Sequence, residues 1–191
     1  EVTIKDLKLG AELSKSVATA LGEIGGREAA DTLLKALPAA RPDIKDSIAA
    51  GLMKTAAEMS AAGDAAASAR IYETLLAEKI SPPLRLAAWR GRFASAGDKT
   101  AALVLETLAG PDPLAREAAI GAIPSAFNAA SIGDVAVLFS RLPAESQVQL
   151  LSVLSDYPKG RILPTILQAT GSDLKDVRIA ALNALQKAGD A

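Results

Sequence analysis

The sequence predicts an all-α chain, a right-handed α-solenoid of antiparallel helix pairs about five and a half repeats long, in one domain over residues 1–191. Three observations predict it. First, an alanine-rich helical phrase returns at Asp43-Ile44-Lys45, Leu84-Arg85-Leu86-Ala87-Ala88, Ala115-Arg116-Glu117-Ala118-Ala119 and Asp176-Val177-Arg178, and recurrence every 30 to 40 residues or so marks a repeat architecture. Second, hydrophobic residues make up 50% of the chain but aromatics only 3%, with alanine at about a fifth. That composition favours closely packed helices over sandwiches or barrels. Third, glycine and proline breaks fall at regular places between amphipathic stretches.

The elements follow from those breaks. A first pair is predicted at Asp6 to Glu23 and Arg27 to Leu37, split at Gly25-Gly26, where two glycines can take positive φ. Pro38 and Pro42 close it. A second pair spans Ile44 to Ala62 and Asp64 to Glu78, with Gly63 ending one helix and Asp64 capping the next. After Pro82-Pro83, the third pair covers Leu84 to Ala96 and Asp98 to Ala109, divided by Gly97-Asp98 in the manner of Gly63-Asp64. The fourth opens at Pro113, ends its first helix near Ile123-Pro124, and continues after Asn128 and Ser131 with a helix from Ile132 to Leu142. The fifth starts near Pro143 and Glu145, breaks at Tyr157-Pro158-Lys159-Gly160 and resumes from Arg161 to Thr170, with Pro164 in its first turn. A last helix, Leu174 to Lys187, follows Gly171-Ser172-Asp173 and carries Val177, Ala180, Ala181, Ala184 and Leu185 on one stripe. Read as a half-repeat, it is expected to expose Val177, Ala181 and Leu185 and to mediate self-association.

Ala20-Leu21-Gly22-Glu23-Ile24-Gly25, the helix carrying Leu33, Leu34 and Leu37, and Asp173-Leu174-Lys175-Asp176-Val177-Arg178-Ile179-Ala180-Ala181-Leu182 together resemble the HEAT repeat. The resemblance is to the short bacterial HEAT-like form also found in phycobilisome lyase subunits. It covers nearly the whole chain, with departures at Ser47 and Gly51 and from Pro124 to Ser131. It implies a scaffold, and a fold of this kind hosts unrelated functions.

Composition narrows the chemistry. There is no cysteine, which excludes disulfides, thiolate nucleophiles and zinc-thiolate sites, and no histidine, which excludes His-assisted nucleophiles and the imidazole ligands of the family's metal-dependent hydroxylase. A net charge of −1 gives no global attraction to nucleic acid or anionic membranes, and the HEAT-like DNA glycosylases need a basic, aromatic-bearing face. Gly22-Glu23-Ile24-Gly25-Gly26 lacks the strand and the Lys-Ser/Thr ending of a phosphate loop. Glu23, Asp98, Glu106 and Asp134 give no sign of an acid-base pair, and Asp98 and Asp134 read as N-caps. Arg85, Trp89, Arg90, Arg92 and Phe93 form a cationic aromatic cluster, read as a packing stripe with its arginines solvated or pairing with helix C-terminal carbonyls, or as an interface anchor.

The reading is therefore a non-enzymatic protein-interaction or scaffold module without cofactor or metal. The alternative is a structural spacer beside a catalytic or carbohydrate-binding domain outside this segment, and more remotely a small helical enzyme or nucleic-acid-binding protein. The partner expected is a protein or peptide. No stretch of about 18 uncharged apolar residues is present to span a membrane. A start without Met is expected to mark a segment of a larger protein, with an extracytoplasmic place preferred if a leader was removed. Aligning the second helices on Leu37, Leu75, Leu108, Leu142 and Thr170 gives two rows: Lys35, Glu73, Glu106, Ser140 and Gln168, then Ala36, Thr74, Thr107, Arg141 and Ala169. Second helices line the inner curve of HEAT-like solenoids. The resemblance thus implies that Lys35, Glu73, Thr74, Glu106, Thr107, Ser140, Arg141 and Gln168 form polar ladders on a concave binding face.

Overall fold

Glycines with positive φ stand at the predicted breaks: Gly25 (66°), Gly26 (77°), Gly63 (90°) and Gly97 (55°). The computed structural model describes residues 11–189. The part of the first predicted helix before Ala11 lies outside them. Among the described residues all regular structure is helical, with eleven α-helices. They group into two compact units, Glu1–Gly97 and Asp98–Ala191, so that the predicted third pair contributes its first helix to one unit and its second to the other.

The first unit holds α1 (Ala11–Ile24), α2 (Gly26–Ala36), α3 (Pro42–Ala61), α4 (Ala65–Ala77) and α5 (Pro82–Ala94). Helices α1, α3 and α5 are neighbours in series, while α2 and α4 both pack on α3 and α4 also packs on α5. Leu33, Leu37, Ile48, Leu52, Ile71 and Leu75 fill the core between them, each contributing about 1.5–3 kcal/mol on burial. Asp64 caps α4 as expected, its side chain accepting the Ala67 N–H at 3.1 Å. Gly51 is explained by packing. A Cβ on Gly22 would stand 2.6 Å from the Gly51 Cα, and one on Gly51 would stand 2.9 Å from the Ala18 carbonyl oxygen, so α1 and α3 meet backbone to backbone. Tyr72 closes over Gly91 of α5 in the same way, its ring within 2.2 Å of where a Cβ would be.

The second unit holds α6 (Thr100–Ala109), α7 (Pro113–Ala126), α8 (Ile132–Ala136), α9 (Ala144–Leu154), α10 (Lys159–Thr170) and α11 (Lys175–Gly189). Here α7, α9 and α11 are neighbours in series, α6 packs on α7, α8 on α10, and α10 on α11. Four expectations are corrected. Gly97-Asp98 does not repeat the Gly63-Asp64 cap: Gly97–Lys99 forms a 3-10 turn and Lys99 takes the N-cap position of α6 without a side-chain bond. Asp134 lies inside α8 and does not cap it; Asn128 organises that turn, its Oδ1 accepting the Ala130 and Ser131 N–H groups at 2.9 and 3.1 Å. The predicted helix Ile132 to Leu142 is a five-residue α8 followed by a 3-10 turn, Phe139–Arg141. Its bonds change from Val137 N–H to the Gly133 carbonyl into Leu138 to Val135 and Leu142 to Phe139. Pro143 holds Leu142 in extended backbone (ψ 150°) and so ends the turn. Finally, α7 runs past Pro124 to Ala126, with the Phe127 N–H still bonded to the Ile123 carbonyl at 2.9 Å.

The last helix is also corrected. Val177 and Ala181 are wholly buried and Leu185 half-buried, because α9 and α10 cover that stripe. The side chains left in solvent are Ile179 and, at 58% exposure, Leu182.

Five helices share one polar device. The fourth residue of α3, α5, α7, α9 and α11 is Lys45, Arg85, Arg116, Gln147 and Arg178; the last four donate to a backbone carbonyl a few residues before their own helix, and Lys45 to a side-chain carboxylate. Lys45 bonds the Glu78 carboxylate at 2.5 Å, Arg85 the Leu76 carbonyl at 2.8 Å, Arg116 the Gly110 carbonyl at 2.6 Å, Gln147 the Leu142 carbonyl at 2.9 Å and Arg178 the Ser172 carbonyl at 2.7 Å. Helix termini leave such carbonyls without intrahelical partners, and these side chains supply the donors.

Candidate functional site

The eight candidate residues do not all face solvent. Lys35 on α2 and Glu73 on α4 are exposed, on two helices that both pack against α3. Glu73 accepts a hydrogen bond from Arg92 Nη2 of α5 at 2.6 Å. Thr74 is half-buried, and its hydroxyl donates to the Arg70 carbonyl of its own helix at 3.0 Å. In the second unit Glu106, Ser140, Arg141 and Gln168 are exposed. Thr107 is not part of any ladder. At 7% exposure it belongs to the buried stripe Val104, Thr107, Leu108 of α6, at i, i+3 and i+4, and its hydroxyl returns to the Leu103 carbonyl at 2.7 Å. Ala169 is buried at the equivalent place on α10. Of the candidates in this unit, Ser140 and Arg141 lie on the 3-10 turn, which packs on α9, and Gln168 lies on α10.

A separate cleft of about 400 Å³ opens in the first unit between α1, α3 and α5. Thr19, Gly22, Glu23, Asp46, Ser47, Ala50, Gly51, Lys54 and Leu84 line it, and none of them is among the eight binding candidates named from the sequence. Gly22 and Gly51, where α1 and α3 meet backbone to backbone, contribute no side chain to it. Its charged groups serve the fold: Lys54 pairs with Glu23 across α1 and α3, and Asp46 Oδ1 accepts the Ser81 N–H at the start of α5 at 3.0 Å. Gly22 in the last turn of α1 and Gly51 in the middle of α3 were the signal in the sequence for this feature.

The cationic aromatic cluster resolves into packing. Trp89 and Phe93 stack with ring centroids 5.8 Å apart, Phe93 is buried, and the Trp89 Nε1 is buried without a hydrogen bond. Arg92 binds Glu73 and Arg85 the Leu76 carbonyl, so only Arg90 of the three behaves as a plainly solvated arginine.

The perturbed titrating groups also have structural causes. Asp64 is held below its ordinary value by the Ala67 N–H and then by Arg27, whose Nη2 lies 2.6 Å away. Burial raises Tyr72, and burial, with the Asp156 charge second, raises Tyr157. Tyr157 Oη contacts the carbonyls of Ile123 and Phe127 at 3.3 and 3.1 Å, at the C-terminal end of α7. Among the described residues no group of three or more His, Cys, Asp or Glu is arranged to hold a metal ion, and no helix is long and apolar enough to cross a membrane.

The sequence matches no protein-family model and no curated protein to a significant degree.

Proposed function

We propose that the chain is a non-enzymatic protein-interaction or scaffold module, and that the helix pairs of each unit stack as in a right-handed, HEAT-like α-solenoid. The neighbour pattern supports the stacking: α1, α3 and α5 in one unit and α7, α9 and α11 in the other adjoin in series, and the fourth-residue donor recurs in five of these helices. One observation carries the interaction reading. On the second element of every pair, the residue two before the aligned position is exposed, at Lys35, Glu73, Glu106, Ser140 and Gln168, while Leu37, Leu75, Leu108 and Leu142 are buried. A polar register repeated on a packed scaffold is suited to gripping a protein or peptide through several weak contacts, and its mixed sign favours such a partner over a uniformly charged polymer. The test is the double reversal Glu73→Lys with Glu106→Lys. A protein captured by the unaltered chain is purified and titrated against both forms, with circular dichroism confirming that both are folded. Weaker binding by the reversal is expected; equal affinity, or no captured protein, refutes the proposal.

A further inference from the structure

The α8–α10 face of the second unit has an unbalanced charge and an uncovered apolar side chain. Helix α8, the 3-10 turn after it and α10 carry three cations, Arg141, Lys159 and Arg161, against one carboxylate, Asp134. All four are exposed, and the three cations form no ion pair among the described residues. By contrast, Lys45, Lys54, Arg92 and Lys187 all have carboxylate partners. Arg161 lies across Gly133, its Cδ 3.4 Å from where a Cβ would stand, and this places a guanidinium-bearing side chain of α10 against α8. One helical turn beyond Gly133, Val137 is 72% exposed, where the chain passes from α8 into the 3-10 turn.

We propose that this face docks an acidic peptide segment of a protein partner, with its carboxylates taken by Arg141 and Arg161 and an apolar side chain seated on Val137. The inference rests on the interaction reading above and names the partner's chemistry. Guanidinium groups bind carboxylates in a two-pronged geometry that lysine lacks, and a basic peptide would meet three like charges. Gln168, exposed on the same helix pair, offers a neutral amide to the peptide backbone.

The experiment is a fluorescence-anisotropy titration of the full chain with a short labelled peptide of Glu, Leu and Ser. Two controls of equal length replace Glu by Lys, or Leu by Gly. Saturable binding of the Glu-Leu-Ser peptide is expected, weakening with salt, at least about tenfold weaker with R141E/R161E or Val137→Asp, and weaker for the Leu-free control. R141Q/R161Q, which removes charge without reversing it, should give an intermediate loss, and unchanged far-ultraviolet circular dichroism shows that each variant is folded. Equal binding of the Lys-containing peptide, insensitivity to the arginine changes, or no saturable binding overturns the proposal. If the acidic peptide fails while a captured partner still responds to Glu73 and Glu106 reversal, this inference alone falls; if both fail, the interaction reading falls with it.

Discussion

Alanine placed at different helical glycines should change stability in opposite directions. At Gly22 the new methyl would stand 2.6 Å from the Gly51 Cα, where carbon atoms ordinarily rest about 3.5–4.0 Å apart. The obstacle is backbone, so relief requires α1 and α3 to separate by roughly 1 Å over their contact, and no rotamer change can absorb it. Overpacking costs about 1–3 kcal/mol, here toward the upper end, while alanine regains about 1 kcal/mol of helix propensity. Gly22→Ala should therefore lose about 2 kcal/mol, or roughly 4–8 °C in melting temperature. Gly121 on α7 is exposed with nothing within 4 Å of a new Cβ, so Gly121→Ala should gain about 0.5–1 kcal/mol. Urea unfolding followed by circular dichroism reads both changes, and Trp89, the one tryptophan of the chain, reports on the first unit by fluorescence. In the double variant Gly22→Ala with Gly51→Ala the losses should fall short of additive by at least about 0.5 kcal/mol, because helices already apart admit the second methyl more easily. A Gly22→Ala protein as stable as the parent would refute the backbone contact between α1 and α3.

Tyr157→Phe should cost about 1 kcal/mol by removing the hydroxyl from the Ile123 and Phe127 carbonyls, and an unchanged urea midpoint would count against that role. Val177→Ala should lose about 2 kcal/mol from its closed site, whereas Leu182→Ser, on the exposed side of α11, should stay within about 0.5 kcal/mol; the reverse order would mean the helix is rotated. The Asp64 carboxyl sits below its ordinary value of 3.8, so its contribution is complete above that pH and is lost as pH falls through the lower folded value. Asp64→Asn should accordingly show a shallower decline of melting temperature between about pH 5 and pH 2 than the parent protein, and identical slopes would argue against the cap.

Helix punctuation was legible because it is local physics. Gly25-Gly26, Gly63, Pro82 and Pro113 act on their own backbone, and all stand at helix ends in the structure. Features that depend on a neighbour were not legible. The sequence marks an apolar stripe on α11 but does not say that α9 and α10 reach it; the alanines Ala181 and Ala184 are small enough to admit both helices, and the larger Leu182 is left outside. Thr107 was misplaced because a polar residue one step from Leu108 can equally belong to the buried arc, its hydroxyl satisfied by the carbonyl four residues back. Arg141 and Gln168 were named as parts of one long ladder, and the sequence does not say that Arg141 stands on a short 3-10 turn beside α9 while Gln168 rides a full helix.

The repeating arginine is the clearest case of a pattern seen before its cause. In the sequence it accompanies alanines in Leu84-Arg85, Ala115-Arg116 and Val177-Arg178, and at Arg85 solvation and a bond to a helix C-terminal carbonyl are both open. In the structure the guanidinium reaches back to a carbonyl left open between helices. The fifth pair, whose sequence lacks the phrase, has Gln147 at the same helical position, donating to the Leu142 carbonyl at 2.9 Å. A neutral amide in that place means that reach and donor capacity define the position, and charge does not. The period is therefore written in hydrogen-bond geometry, and residue identity follows it loosely, which is why a chain can keep the spacing of its helices while its repeats resemble one another so little.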